Sequence, residues 1–200
     1  MADTAFLVVD MMNAYRHPPD ADKLIPNVAE IIDPLGRLVA QARERDDVDL
    51  IYVNDNYGDF TAQPSDIVQS ALDGERPDLV KPLAPTPPSC RFLTKVRHSA
   101  FYATPLDYLL GRLEIQNVVL TGQVTEQCIL YTALDAYIRH FDVIVPPGCG
   151  GAHRCRAGRG GAADDGEQHG RPPRGCRELP EMTAAHVALL SGGATTTATR

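Results

Sequence analysis

The chain contains no apolar run of about 18 residues, the length needed to span a bilayer, so no membrane span is expected among its 200 residues. It also has no basic stretch ahead of its first apolar run, since Met-Ala-Asp-Thr leads almost directly into Phe6–Val9. That start argues against a secretory signal and for a cytoplasmic protein. Cysteine is sparse: the five residues show no paired spacing, which does not suit a disulfide framework. No Cys/His cluster with zinc-site spacing precedes residue 148, and no metal is expected. Positive charge is scarce as well. The net charge is −7, and residues 1–147 hold 12 Lys and Arg against 21 Asp and Glu, whereas residues 148–200 hold 7 against 5. An acidic body of this kind offers no footprint for nucleic acid.

Large aliphatic side chains nearly vanish between residues 148 and 180, where Leu179 stands alone among Gly, Arg and Ala. Such a segment cannot bury enough surface to offset the entropy of ordering it. The expectation is therefore a domain over 1–147 and an aberrant, disordered tail over 148–200. A frame slip near the codon for Gly148 would produce such a tail. One GC-rich back-translation of Cys149–Gly166, read one base later, gives the amphipathic string AVAHIDAGLGEAALRMM. On that reading Cys149, Cys155, Cys176, His153 and His169 carry no evolved chemistry, and the core loses an edge layer.

The remainder is regular. Phe6–Val9, Leu50–Val53, Phe92–Thr94, Val118–Leu120 and Val143–Val145 are short continuous apolar runs, the pattern of strands buried on both faces. Between the first two, Val28, Ile31, Ile32, Leu35, Leu38, Val39 and Ala42 recur at helical spacing, which predicts a helix over 24–45 that Pro34 kinks or splits. Residues 59–90 read as a Pro-rich loop with one short helix near Ser65–Leu72. Thr104 and Pro105 open another helix, with Leu106, Leu109, Leu110 and Leu113 on its apolar face. Alternating strands and helices indicate an α/β fold, a three-layer α/β/α sandwich around a mostly parallel, Rossmann-like open sheet.

The stretch 117–140 is the most informative. Its apolar strand breaks at Gly122; Thr125 then reads as a helix N-cap, and Cys128 falls in the first helical turn. Backbone N–H groups there lack helical partners, favour a thiolate and could hold an oxyanion. An inert, buried cysteine is the plainer alternative. Asp10 and Lys95 likewise end apolar strands, at the edge where open parallel sheets bind ligands. The turn Asn54, Asp55, Asn56, Tyr57, Gly58 lies at the same edge. Asn54, Asn56 and Tyr57 are candidate substrate contacts, as are Phe101 and Tyr102 after Lys95, although turn chemistry alone explains Asn and Gly.

Three ordered blocks carry a resemblance: Leu7–Asp10, Lys95–Leu106 and Thr121–Cys128. Over residues 5–147 the chain resembles the isochorismatase-like cysteine hydrolases. The resemblance implies Cys128 as nucleophile, Asp10 as general base and Lys95 as the cation favouring the thiolate. It also implies a cis peptide between Gln123 and Val124, with the N–H groups of Val124 and Cys128 forming an oxyanion hole. No cofactor is implied. Nicotinamidase-type members carry an Asp/His/His metal set after the second strand, whereas residues 54–60 here hold no histidine. The expected partners are a small-molecule substrate and further copies of the chain.

The resulting expectation is a cysteine-dependent hydrolase of a small amide or related C–N substrate, acting through a thioester-type intermediate. An inactive or binding-only relative, disabled by the altered C-terminus, is the alternative. A thiol redox role pairing Cys128 with Cys90 is a third reading.

Overall fold

Each apolar run of the sequence becomes a strand, and every strand pairing is parallel. The computed structural model describes residues 3–16, 20–86 and 90–151. Strands β1 (Thr4–Val9), β2 (Val48–Asp55), β3 (Arg91–Lys95), β4 (Asn117–Gln123) and β5 (Asp142–Ile144) lie in the order β3-β2-β1-β4-β5. A two-residue strand, β6 (Gly150–Gly151), pairs with β4 at Gly122 and Gln123.

Parallel neighbours need crossovers, and these place helices on both faces of the sheet. Alternate strand residues therefore feed two separate cores. Phe6, Val8, Leu50, Tyr52 and Val119 pack with Val28, Ile31, Leu35 and Val39 of α1 (Asp20–Arg43) and with Ile67 and Ala71 of α2 (Pro64–Leu72). Leu7, Val9, Ile51, Val53, Val118 and Leu120 pack with Leu106 and Leu110 of α4 (Leu106–Arg112) and with Ala133 and Ala136 of α5 (Leu130–Ile138). This is the expected three-layer α/β/α arrangement. No helix among the described residues is long and apolar enough to cross a membrane.

Three local expectations change. Helix α1 runs unbroken through Pro34. The carbonyl that loses its partner there belongs to Glu30, an exposed residue, so the lost hydrogen bond falls on the solvent side of the helix, where it is tolerated. Residues 59–90 are less loop-like than their proline content suggests. Beyond α2, a short helix α3 (Pro77–Val80) and a 3-10 turn at Lys81–Leu83 bury Leu79, Val80 and Leu83. The fold also continues past residue 147. Cys149 is buried, its carbonyl accepts the Gly122 N–H at 3.0 Å, and Gly150–Gly151 extends the sheet. Gly150–Gly151 therefore belong to the sheet and Gly148–Cys149 to the connection that leads into it, while the remainder of the expected tail, 152–200, lies outside the described residues.

Gly122 controls how closely β4 approaches β1. Its φ is +115°, and a Cβ there would lie 2.0 Å from the Val9 carbonyl oxygen. Gly111, on the exposed side of α4, has open space around it. Gly122→Ala is expected to destabilise by about 4 kcal/mol or more, which backbone displacement combined with a forbidden φ can reach. Gly111→Ala is expected to stabilise by about 0.5 kcal/mol. Urea denaturation of both variants checks the contrast.

Candidate active site

Parallel strands bring their C-terminal ends to one edge, and four of them deliver polar side chains there. Asp10 follows β1, Asp55 ends β2, Lys95 ends β3 and Gln123 ends β4. The β2–β3 register sets Asp55 opposite Lys95. Asp10 leaves its strand in the left-handed region at φ 55°, a conformation that Asp tolerates better than most residues. Its N–H donates to the Val53 carbonyl at 2.9 Å. The Gln123 amide donates to the Asp10 carbonyl at 2.5 Å, and the Tyr15 hydroxyl donates to the other end of that amide at 3.3 Å. Gln123 is thus a brace for Asp10, and the peptide bond between Gln123 and Val124 is cis.

Lys95 is 1% exposed, yet its ammonium is well supplied with partners. Nζ lies 2.8 Å from Asp10 Oδ2, 3.4 Å from Asp55 Oδ2 and 3.7 Å from Cys128 Sγ, matching its three hydrogens with three acceptors. The second oxygen of Asp10 accepts the Asp55 N–H at 2.8 Å. The structure therefore brings Asp10, Lys95 and Cys128 into one buried cluster.

Cys128 is positioned differently from the expected helix start. Val124 occupies the cap position, and Thr125–Ile129 forms a π-helical turn before α5 begins. Thr125 donates its hydroxyl proton to the Gly151 carbonyl at 3.1 Å rather than capping the helix. The expectation of an easily ionised thiol is also overturned. Burial pushes Cys128 up to about 12, the Asp10 carboxylate adds to that push, and Lys95 and the Val124 N–H oppose it without prevailing. Burial likewise raises Asp10 above the usual carboxylate value, against the pull of Lys95. For Lys95, burial is outweighed by the attraction of Asp10, Cys128 and Asp55, and its pKa rises. The trio thus joins a thiol whose ionisation burial opposes, a carboxyl group that burial raises and a lysine whose ammonium form its neighbours favour.

A cavity of about 830 Å³ opens onto this cluster. Asp10, Lys95, Val124 and Cys128 line its reactive end, and Met12, Tyr15, Leu24 and Ile67 supply apolar wall. Of the expected substrate contacts, Asn56 and Tyr57 line it. Tyr57 has an exposed ring, but its hydroxyl turns inward to donate to the Met12 carbonyl at 3.1 Å. The other three are corrected. Asn54 is buried and spends its amide on the Met12 N–H (2.9 Å) and carbonyl (3.2 Å). Phe101 belongs to the second core, stacked at 6.1 Å on Phe141 with the Arg139 guanidinium 4.8 Å from its ring centre. Tyr102 is not among the residues that line the cavity and is 59% exposed. The physical reason is shared by the last two: the chain after β3 folds under α5, where Thr132 accepts the Ala100 N–H at 2.9 Å. The cavity opens instead on the α1–α2 side.

The redox pairing also fails. Cys90 precedes β3 and packs into the first core, whereas Cys128 lies beyond the far end of the strands in the second. Five strand residues span about 16 Å, well beyond disulfide reach. Among the described residues, no three His, Cys, Asp or Glu side chains are grouped to hold a metal ion. Asp55 was not singled out from the sequence, because only the strand register reveals that it faces Lys95.

Comparison with known proteins places the chain in a family. The isochorismatase domain family matches residues 4–158. An uncharacterized isochorismatase family protein, YaaI of Bacillus subtilis (strain 168), is 34% identical over 148 residues, covering 74% of this chain and 80% of its own. An isochorismatase-like hydrolase from Alkaliphilus metalliredigens superposes with a TM-score of 0.62 at 28% identity, over 76% of this chain and 77% of that one. An N-carbamoylsarcosine amidase from Thermoplasma acidophilum superposes with a TM-score of 0.58 at 27% identity, over 76% and 85%. The chain belongs to the isochorismatase-like hydrolase family.

Proposed function

We propose that this hydrolase cleaves a small amide or related C–N substrate with Cys128 as nucleophile, through a thioester-type intermediate. The observation that carries the reading is the buried Lys95 ammonium, in contact with both the Asp10 carboxylate and the Cys128 sulfur at the end of an open cavity. Its similarity to an N-carbamoylsarcosine amidase supports the C–N choice.

The chemistry follows from the placement of the three groups. As a carbonyl carbon approaches Sγ, the thiol proton passes to Asp10 and the S–C bond forms. The N–H groups of Val124 and Cys128 receive the oxyanion, and Lys95 offsets the charge leaving the sulfur. Asp10 then returns the proton to the departing nitrogen, and the C–N bond breaks. Water attacks the thioester, giving one proton to Asp10. That proton goes back to the sulfur as the acid is released, restoring the starting state. A base of raised pKa suits this exchange, because it accepts the thiol proton more readily than an ordinary carboxylate does.

Cys128→Ala is expected to lower amide turnover by on the order of 10³-fold or more, the scale for losing a nucleophile. The substituted protein should keep its fold, and mass spectrometry should find the acyl adduct on the Cys128 peptide of the unsubstituted protein only. Turnover by Cys128→Ala at the unsubstituted rate would overturn the assignment.

The pH dependence has a definite sign. Asp10 must be deprotonated to accept the thiol proton, and its pKa is raised, so activity should be lost on acidification at a pH above the ordinary carboxylate value of 3.8. Iodoacetamide alkylation of Cys128, read by mass spectrometry, should stay slower than that of free cysteine, with its pKa of about 8.5, and should rise only towards pH 12. Fast alkylation at neutral pH would mean a resting thiolate.

A further inference from the structure

Two carboxylates face Lys95, and the scheme above uses one of them. The other is fixed from three directions. The Asp55 N–H donates to Asp10 Oδ1 at 2.8 Å, its Oδ1 accepts the Tyr57 N–H at 2.8 Å, and its Oδ2 lies 3.4 Å from Lys95 Nζ. We infer that Asp55 is a positioning residue, whose carboxylate keeps the Lys95 ammonium beside Cys128 during the step in which Asp10 takes the thiol proton.

The argument is one of charge. In the resting site Asp10 is the close partner of Lys95, at 2.8 Å, and Asp55 at 3.4 Å is the looser one. When the thiol proton moves to Asp10, that carboxyl becomes neutral and its attraction for the ammonium collapses. The four groups keep the same total charge, because the proton only changes hosts from sulfur to oxygen. What changes is which anions hold Lys95: the new thiolate on one side and Asp55 on the other. Without Asp55, a deeply buried ammonium would depend on the thiolate alone, and on no side-chain anion in the interval when the sulfur is bonded to carbon and Asp10 still holds the proton. A buried charge in that position releases its proton or draws in water. Asp55 can hold through the cycle because the Tyr57 N–H and the strand register fix it independently of Asp10. The groups facing Lys95 are Asp10 from the end of β1, Asp55 from β2 and Cys128 after β4, with the Tyr57 hydroxyl in the field of both carboxylates.

The chain contains three lysines, Lys23, Lys81 and Lys95, so carbon-13 NMR of the lysine ε-carbons reads Lys95 directly. Asp55→Asn keeps an oxygen to accept the Tyr57 N–H and removes the charge, whereas Asp55→Glu keeps the charge. The Lys95 signal is expected to titrate at lower pH in Asp55→Asn and to stay near the unsubstituted value in Asp55→Glu. The shift should be larger when Asp10→Asn, mimicking the protonated base, is combined with Asp55→Asn. In turnover, Asp55→Asn should lower kcat about tenfold, equivalent to about 1.4 kcal/mol of barrier, with KM little changed and Asp55→Glu restoring most of the rate. A Lys95 titration unmoved in Asp55→Asn overturns the inference, as does a shift that leaves kcat untouched. The proton step rests on the function proposed above, but the NMR titration needs no turnover. A shift in a protein that hydrolyses no amide therefore overturns the hydrolase reading and leaves the Asp55–Lys95 coupling standing.

Discussion

A single buried positive charge governs the arrangement of this protein. Removing the Lys95 ammonium from water costs several kcal/mol unless nearby acceptors replace its hydration, and those acceptors come from three other segments of the chain. Asp10, Asp55 and Cys128 follow or end β1, β2 and β4, so the cluster forms only when the strands lie in the observed order and register. Gln123 and Asn54 serve the same end indirectly. The first holds the Asp10 carbonyl and the second holds both backbone groups of Met12, which fixes the path of the chain beyond β1.

The two cores make that placement rigid. Each strand sends alternate side chains to opposite faces, and both faces are covered, so a slip of one residue would exchange the two cores' side chains and misplace Asp10 against Lys95. The close approach of β4 to β1 at Gly122 brings Gln123 within reach of Asp10. Packing on the α1–α2 face also explains why the cavity opens there and why the loop after Lys95 turns to the other side. Part of the cavity wall, Leu24 and Ile67, therefore comes from segments distant in sequence from Asp10, Lys95 and Cys128.

Electrostatics at Cys128 shows how competing effects are decided. Free N–H groups at a helix start and a neighbouring ammonium both favour a thiolate. Burial and the Asp10 carboxylate both disfavour it, and they win, so the thiol rests protonated. The same burial raises Asp10, so the carboxyl group beside the thiol holds a proton more readily than an exposed one would.

Much of this was legible in the amino-acid sequence, for a local reason. Continuous apolar runs and the 3.6-residue period of α1 reflect burial along one segment, so strands, helices and the α/β class can be read without knowing what packs on what. Asp10, Lys95 and Cys128 could be singled out because each ends or follows an apolar strand. The corrections all concern relations between segments. Phe101 and Tyr102 follow Lys95 closely, yet the contact with α5 sends them away from the cavity. Asn54 is a strand-end polar residue, yet Met12 consumes its amide. Asp55 gains its meaning from a register with Lys95 that no spacing encodes. The reach of the sheet to Gly151 depends on pairing with β4, and Gly-rich composition concealed it. Sequence by itself determined which segments would be buried and which groups would stand at their ends. Tertiary structure alone decided which of those groups share one low-dielectric volume, because charge and hydrogen bonding act through distances that the folded chain sets.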